Sequence, residues 1–257
     1  MIVTGLMLNL LIGAGTLMIL WFFYLWKKNP AVVDLGWAIG LTLMGLTHNL
    51  VRGSITGATV LTSVLVLLWG FRLGGYLFWT RLRLGKQDAR YESLQQKQKL
   101  PAPIFFLIHY IIQACFQAVV GFVFIFTAQS TVFKSIYATT GLILWCVGYA
   151  GSIVADAQLH RFRTNPANRG KLCQIGVWNY SRHPNYFFEI LLWSGFAFIG
   201  LPTPLGWLGF ISPVVLLLTM RFITGPISER QSLKSKADAY RQYQETTSMI
   251  VPWFKRS

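Results

Sequence analysis

The chain has 257 residues, of which 54% are hydrophobic and only 12% charged, and its mean hydropathy is +0.49. A water-soluble domain of this length carries about twice that charged fraction, so an ordinary soluble enzyme is excluded. The formal net charge is +15, but the cations fall in short segments between apolar runs, which points to membrane topology rather than nucleic acid.

Apolar runs long enough to cross a bilayer as helices recur at 3–26, 31–50, 58–80, 103–127, 136–157, 184–201 and 205–224. The expected fold is an all-α membrane protein with seven transmembrane helices. Every Lys and Arg except Arg52, Arg72 and Lys134 lies on one side of that arrangement. The positive-inside rule then sets the N-terminus outside and the C-terminus in the cytoplasm. Span one lacks a basic n-region and a small-residue cleavage site, so it reads as an anchor rather than a signal peptide. No repeat or low-complexity segment divides the chain, and 1–257 is expected to form one domain. Cys115, Cys146 and Cys173 show no paired spacing, so neither a disulfide framework nor a metal site is expected.

Span one closes on Trp26-Lys27-Lys28. Beyond Asn29-Pro30, Asp34 lies about one turn inside span two, where it caps the helix, pairs with a cation or serves a site. Span three carries Trp69, Arg72 and Tyr76. A buried Arg needs a carboxylate, a phosphate or a wet cavity, and Asp34 is the nearest acid in sequence terms. Arg81 and Arg83 open a basic cluster that either meets anionic lipid or converges with other cations over a site. In span four His109, Gln113 and Gln117 recur every fourth residue, a stripe suited to hydrogen bonds between helices. Span five ends at Asp156, and Arg163 shares its face if the helix continues. A turn-rich loop follows through Lys171.

The densest chemistry lies at Gly176-Val-Trp-Asn-Tyr-Ser-Arg-His-Pro-Asn-Tyr-Phe-Phe-Glu189. Pro184 suits a first helical turn. Arg182 and His183 then sit at a helix mouth that favours an anion. Asn185 and Glu189 share one face, and an acid leading into Ile190-Leu191-Leu192 is costly enough to suggest function. The tail from Glu229 through Tyr240 to Tyr243 reads as a polar helix, and Pro252-Trp253-Phe254 as an interfacial anchor. The cytoplasmic cations suit a polyanionic cofactor, and the apolar interior suits a lipidic substrate.

Asp156…Arg163, Gly176-Val-Trp-Asn-Tyr, Ser-Arg-His-Pro-Asn-Tyr-Phe-Phe-Glu189 and the final Tyr…Ile-Val-Pro252 resemble the steroid 5-alpha-reductase superfamily. With Asn29-Pro30…Asp34…Trp37, Trp69-Gly-x-Arg72 and Lys86…Asp88-x-Arg90-Tyr91, the chain is most similar to its bacterial branch of uncharacterised multi-pass membrane proteins. The resemblance implies seven helices enclosing NADPH, with the cofactor held by the C-terminal half, about 136–257. It implies reduction of an activated carbon–carbon double bond in a steroid- or lipid-like substrate. Carried over by position, Asp156, Arg163, Lys171, Tyr180 and Asn185 fall at the cofactor, with Arg83. Arg72, Arg81, Arg182, His183 and Tyr240 are grouped with them as further cofactor candidates. Glu189 falls near the nicotinamide end. Asp34 stands about where the steroid enzymes hold the substrate carbonyl with a glutamate and a tyrosine. That tyrosine aligns with Trp69, and Tyr76 is its nearest replacement, so Asp34, Trp69, Tyr76 and Glu189 form the catalytic set. Phe188 departs from the glycine of the family pattern.

Arg-His-Pro-x-Tyr is also a signature of isoprenylcysteine carboxyl methyltransferases and related phospholipid methyltransferases, which bind S-adenosylmethionine. Those continue with a glycine and carry a Glu-Glu pair in the tail, where this chain has Phe188 and a single Glu229. The methyltransferase is therefore the second expectation, and a non-catalytic lipid-binding membrane protein the third. Expected partners are a lipidic or steroid-like substrate and membrane lipid, without nucleic acid or an obligate protein partner. A bacterial source implies the inner membrane.

Overall fold

The computed structural model describes residues 1–82, 99–131 and 135–255, with Arg81 described by its main chain only. Arg83 and the Lys86…Tyr91 motif lie outside the described residues. All described regular structure is helical: α1 (Ile2–Lys27), α2 (Val32–Val51), α3 (Gly57–Leu77), α4 (Ala102–Val120), α5 (Val123–Thr127), α6 (Ile136–Thr164), α7 (Pro184–Gly200), α8 (Ile211–Thr219) and α9 (Gly225–Thr246). Helices satisfy their own main-chain polar groups, as lipid requires.

Among the described residues, five helical runs are long and apolar enough to cross a membrane: Ile2–Lys27, Gly57–Thr80, Ala102–Thr127, Ile136–Thr164 and Gly206–Thr246. The chain is an all-α, multi-pass membrane protein. The expected second and sixth spans are also helices, α2 of 20 residues and α7 of 17, outside those five. Seventeen residues rise about 26 Å, just under the hydrocarbon thickness of about 30 Å. The 41-residue run Gly206–Thr246 rises about 60 Å, twice what a bilayer accommodates. Its apolar part ends near Thr224, and the polar remainder of α9 projects beyond.

The chain packs as two compact units, Met1–Ser135 with Gly200–Ile211, and Ile136–Ile199 with Ser212–Ser257. In the first, glycines let helices approach closely: a side chain on Gly36 would strike Leu17 and Leu20, and one on Gly40 would strike Gln117. Gln117 Nε2 donates to the carbonyls of Gly36 (2.9 Å) and Trp37 (3.0 Å), the helix-to-helix role its stripe implies. Asn9 Nδ2 donates to Ala118 O at 3.1 Å, His48 Nε2 lies 2.9 Å from Asn9 Oδ1, and Tyr110 Oη donates to Pro30 O at 3.0 Å. The expected span 103–127 is two segments, because the α4 ladder gives way to a turn at Gly121-Phe122.

The second unit is built on α6. Its buried positions Ala138, Gly141, Trp145, Gly148, Ser152 and Ala155 alternate in steps of three and four, the seam of a heptad. α7 runs antiparallel along it: Gly141 faces Gly195 and Ile199, and Gly148 faces Phe188 and Leu192. Gly151 lies under the Phe188 ring, and its missing Cβ leaves room for that large side chain. α6 continues past its apolar part to Thr164, so Asp156 and Arg163 do share a face. α8 passes through a π turn, Met220–Thr224, into α9. Pro226, which has no N–H to give, follows that wider turn.

Candidate functional site

The head of α7 is pinned before the helix begins. Gly176 has φ +53° and leaves no room for a Cβ against the Gln158 amide. That amide accepts from Val177 N at 3.0 Å, and Trp178 Nε1 donates to Ala155 O at 2.9 Å. These bonds fix the loop to α6. Ser181 is fully buried; its hydroxyl donates to Ile250 O at 2.7 Å and accepts from His183 N at 3.1 Å. Pro184 then starts the helix as its missing N–H allows.

Arg182 and His183 converge on Glu229 of α9. Arg182 Nε donates to Glu229 Oε1 at 2.8 Å, and His183 Nε2 lies 3.2 Å from the same oxygen. Gln244 Nε2 donates to Glu229 Oε2 at 2.6 Å. Arg182 Nη1 donates to the carbonyls of Gln244 (2.9 Å) and Thr247 (2.5 Å), and its main-chain N–H to Ser248 O (2.9 Å). His183 stacks on Tyr186, with centroids 4.8 Å apart. Burial of Glu229, 7% exposed, by itself raises its pKa. The hydrogen bonds from His183, Arg182 and Gln244 outweigh that and hold it down at about 2. Tyr240 is buried beside it, and burial followed by the Glu229 charge pushes its phenol up. Arg182, His183 and Tyr240 are thus brought together by an acid that the sequence marks only as a lone tail residue. Tyr243 Oη donates to Trp178 O, closing the tail over the loop.

One turn into α7 the environment changes. Glu189 Oε1 accepts from Trp193 Nε1 at 3.0 Å. Asn185 Oδ1 is buried and has no hydrogen-bond partner among the described residues, and the same holds for Ser152 Oγ and Trp145 Nε1 on the α6 seam. Buried polar atoms are nearly always satisfied, so an orphan acceptor one turn before a carboxylate marks a place where a donor belongs.

A third group gathers where α6 ends. Arg163, in its last turn, acts electrostatically on both Lys236 and Cys173. Burial first, then the Arg163 charge, lowers the Lys236 ammonium, and burial raises the Cys173 thiol. Lys236 stands at the kink of α9, a position no local sequence pattern singles out. Lys171 is exposed in the loop, and Tyr180, 43% exposed, meets Phe254 edge-on. Asp156 lies one turn beyond Ser152 on α6.

In the first unit Trp69, fully buried, shares a face of α3 with Arg72 and Tyr76. Thr42 faces Gly70, and Leu35 and Ala38 face Gly74, so α2 is antiparallel to α3. That register puts Asp34 at the end of α3 that carries Tyr76. Ala31, not Asp34, occupies the N-cap of α2; Asp34 lies in the first turn and acts electrostatically on His109 and Tyr110 of α4. Arg81 lies in the π turn that ends α3.

The sequence profile of a family described as a protein of unknown function, DUF1295, matches residues 20–247. The chain belongs to the DUF1295 family. This family is related to steroid 5-alpha-reductase-like proteins. An uncharacterised protein of Schizosaccharomyces pombe is 23% identical over 286 residues, covering 97% of this chain and 79% of that protein. A probable O-methyltransferase of Ustilaginoidea virens is 36% identical over 61 residues, 24% of this chain and 22% of its own length.

Proposed function

We propose that this DUF1295 protein is an NADPH-dependent membrane reductase of activated carbon–carbon double bonds in lipid- or steroid-like substrates. The observation that carries the proposal is the orphan Asn185 Oδ1, buried one turn before Glu189. A nicotinamide carboxamide offers an N–H donor and a carbonyl acceptor, and an acceptor pair on one helix face suits the donor. The Arg163–Lys236 pair adds a second fit, since neighbouring cations favour a phosphate. NADPH, when bound, supplies a hydride. The chain's part is to hold the carboxamide with Asn185 and Glu189, and the phosphates with Arg163, Lys236 and Lys171. Asp34, Trp69 and Tyr76 are kept on chemical grounds for the substrate carbonyl, where Trp and Tyr donate a hydrogen bond and Asp does so only when protonated.

Counting α2 and α7 as spans gives seven, with the N-terminus outside and the tail in the cytoplasm; in a bacterial cell the protein then lies in the inner membrane. An S-adenosylmethionine-dependent methyltransferase is the second reading, supported by the 61-residue likeness to a probable O-methyltransferase. Mass spectrometry of the nucleotide released from protein purified in mild detergent separates the readings. NADP(H) is expected; S-adenosylmethionine would establish the methyltransferase, and an empty protein that neither nucleotide stabilises would leave lipid binding without catalysis.

A further inference from the structure

A cleft of about 380 Å³ lies in the second unit, between the end of α8 and the strap Thr247–Val251, lined by Arg182, Leu217, Arg221, Gln244 and the strap itself. We propose that it seats an anionic membrane phospholipid, with the phosphate at Arg221 and the acyl chains beside Leu217, Val251 and Trp253.

Three features of the cleft lead to that ligand. The strap turns its carbonyls inward: those of Thr247 and Ser248 accept from Arg182, and those of Met249 and Ile250 face the Ser181 hydroxyl. Its N–H groups at Ser248, Met249, Ile250 and Val251 bond to no described residue. Main-chain N–H groups without protein partners are available to hydrogen-bond a ligand, and Arg221 adds an exposed guanidinium that forms no ion pair among the described residues. The Arg182 charge is already met by Glu229, so Arg221 supplies the net positive charge.

The order of polarity selects a lipid over a free anion. Leu217 is one turn before Arg221 on the same helix face, so apolar surface lies on the membrane side of the cation. A smaller hollow of about 280 Å³, lined by Ser248, Val251, Trp253 and Phe254, shares Ser248 and Val251 with the cleft and extends the apolar side. Trp253 and Phe254 are 67% and 77% exposed, as residues at a headgroup boundary are. Arg221 follows the apolar α8 in the next turn, the sequence position at which a juxtamembrane cation meets anionic lipid.

Native mass spectrometry of the detergent-purified full chain tests this, with phosphatidylglycerol, phosphatidylcholine and inorganic phosphate as separate probes. Phosphatidylglycerol is expected to be retained and the other two not. Arg221→Ala should reduce retention about five- to tenfold, while Arg230→Ala, which removes the same charge from exposed α9, should not. Equal retention of both lipids, equal loss in both variants, or the same stabilisation by inorganic phosphate would overturn the proposal. Photocrosslinking of the unsubstituted chain with a diazirine-bearing phosphatidylglycerol gives a second measurement should Arg221→Ala not fold. Adducts at 217–221 or 247–254 support the site, and adducts confined elsewhere refute it.

Discussion

The two units solve helix packing by different means. In the first, α1, α2 and α4 are tied by neutral groups, Asn9, Gln117 and Tyr110, set among glycines. In the second, the small-residue seam of α6 and α7 does the close packing, but the polar end is locked by a buried carboxylate with a guanidinium and an imidazole on it. Neutral ties are worth about 0.6–2 kcal/mol each inside a bilayer. Breaking a buried charge network by removing one partner costs about 3–5 kcal/mol. The difference teaches where this protein is stiff: outside the apolar layer, where charges can be brought together, and next to the residues proposed to hold a cofactor.

The largest expected effect follows from removing the centre of that network. Glu229→Ala leaves Arg182 and His183 buried without their acid and should cost about 3–5 kcal/mol, read as a lower thermal midpoint in detergent. A loss no larger than that of a neutral tie would erase the contrast between the units. Arg182→Ala tests the same network from its cationic side and should fall in the same range.

Acid probes the network without mutation. The Glu229 pKa is depressed, so its contribution is complete above the ordinary carboxylate value of 4.5 and is lost as pH falls toward about 2. A shift of that size corresponds to about 3 kcal/mol. Circular dichroism melts between pH 5 and about 2 should show the decline, and Glu229→Gln should flatten it.

Next in size is nucleotide affinity. Arg163→Glu should weaken NADPH binding about 10- to 100-fold, the range of one or two charge-assisted hydrogen bonds, while leaving the helical content intact. Lys236→Ala should have a smaller effect in the same direction, and NADH should be less sensitive to both. Equal binding of NADPH and NADH by the unsubstituted chain would remove the phosphate from this pair.

The smallest effect is expected in the first unit. Gln117→Leu keeps the volume and removes two neutral bonds to carbonyls that α2 already engages; it should cost about 1 kcal/mol. A cost comparable with that of Glu229→Ala would show that the amide network, too, is a centre of stability.

The amino-acid sequence by itself determined the class and the helices. Lipid forces each apolar run to satisfy its own main chain, so hydropathy alone marks α1, α3, α4 and α6, and Pro184 marks where α7 starts. The α6 seam was also present in the spacing of Ala138, Gly141, Trp145, Gly148, Ser152 and Ala155, although nothing local named α7 as its partner. Tertiary structure alone decided what Arg182 and His183 face, because Glu229 stands 47 and 46 residues away on a helix whose own pattern is merely polar. It also decided that Lys236 joins Arg163, through a kink, and that Asn185 Oδ1 is left buried without a donor among the described residues. Side-chain hydrogen bonds between distant segments carry no periodicity, so only the folded chain shows which polar atoms meet and which are left for a ligand.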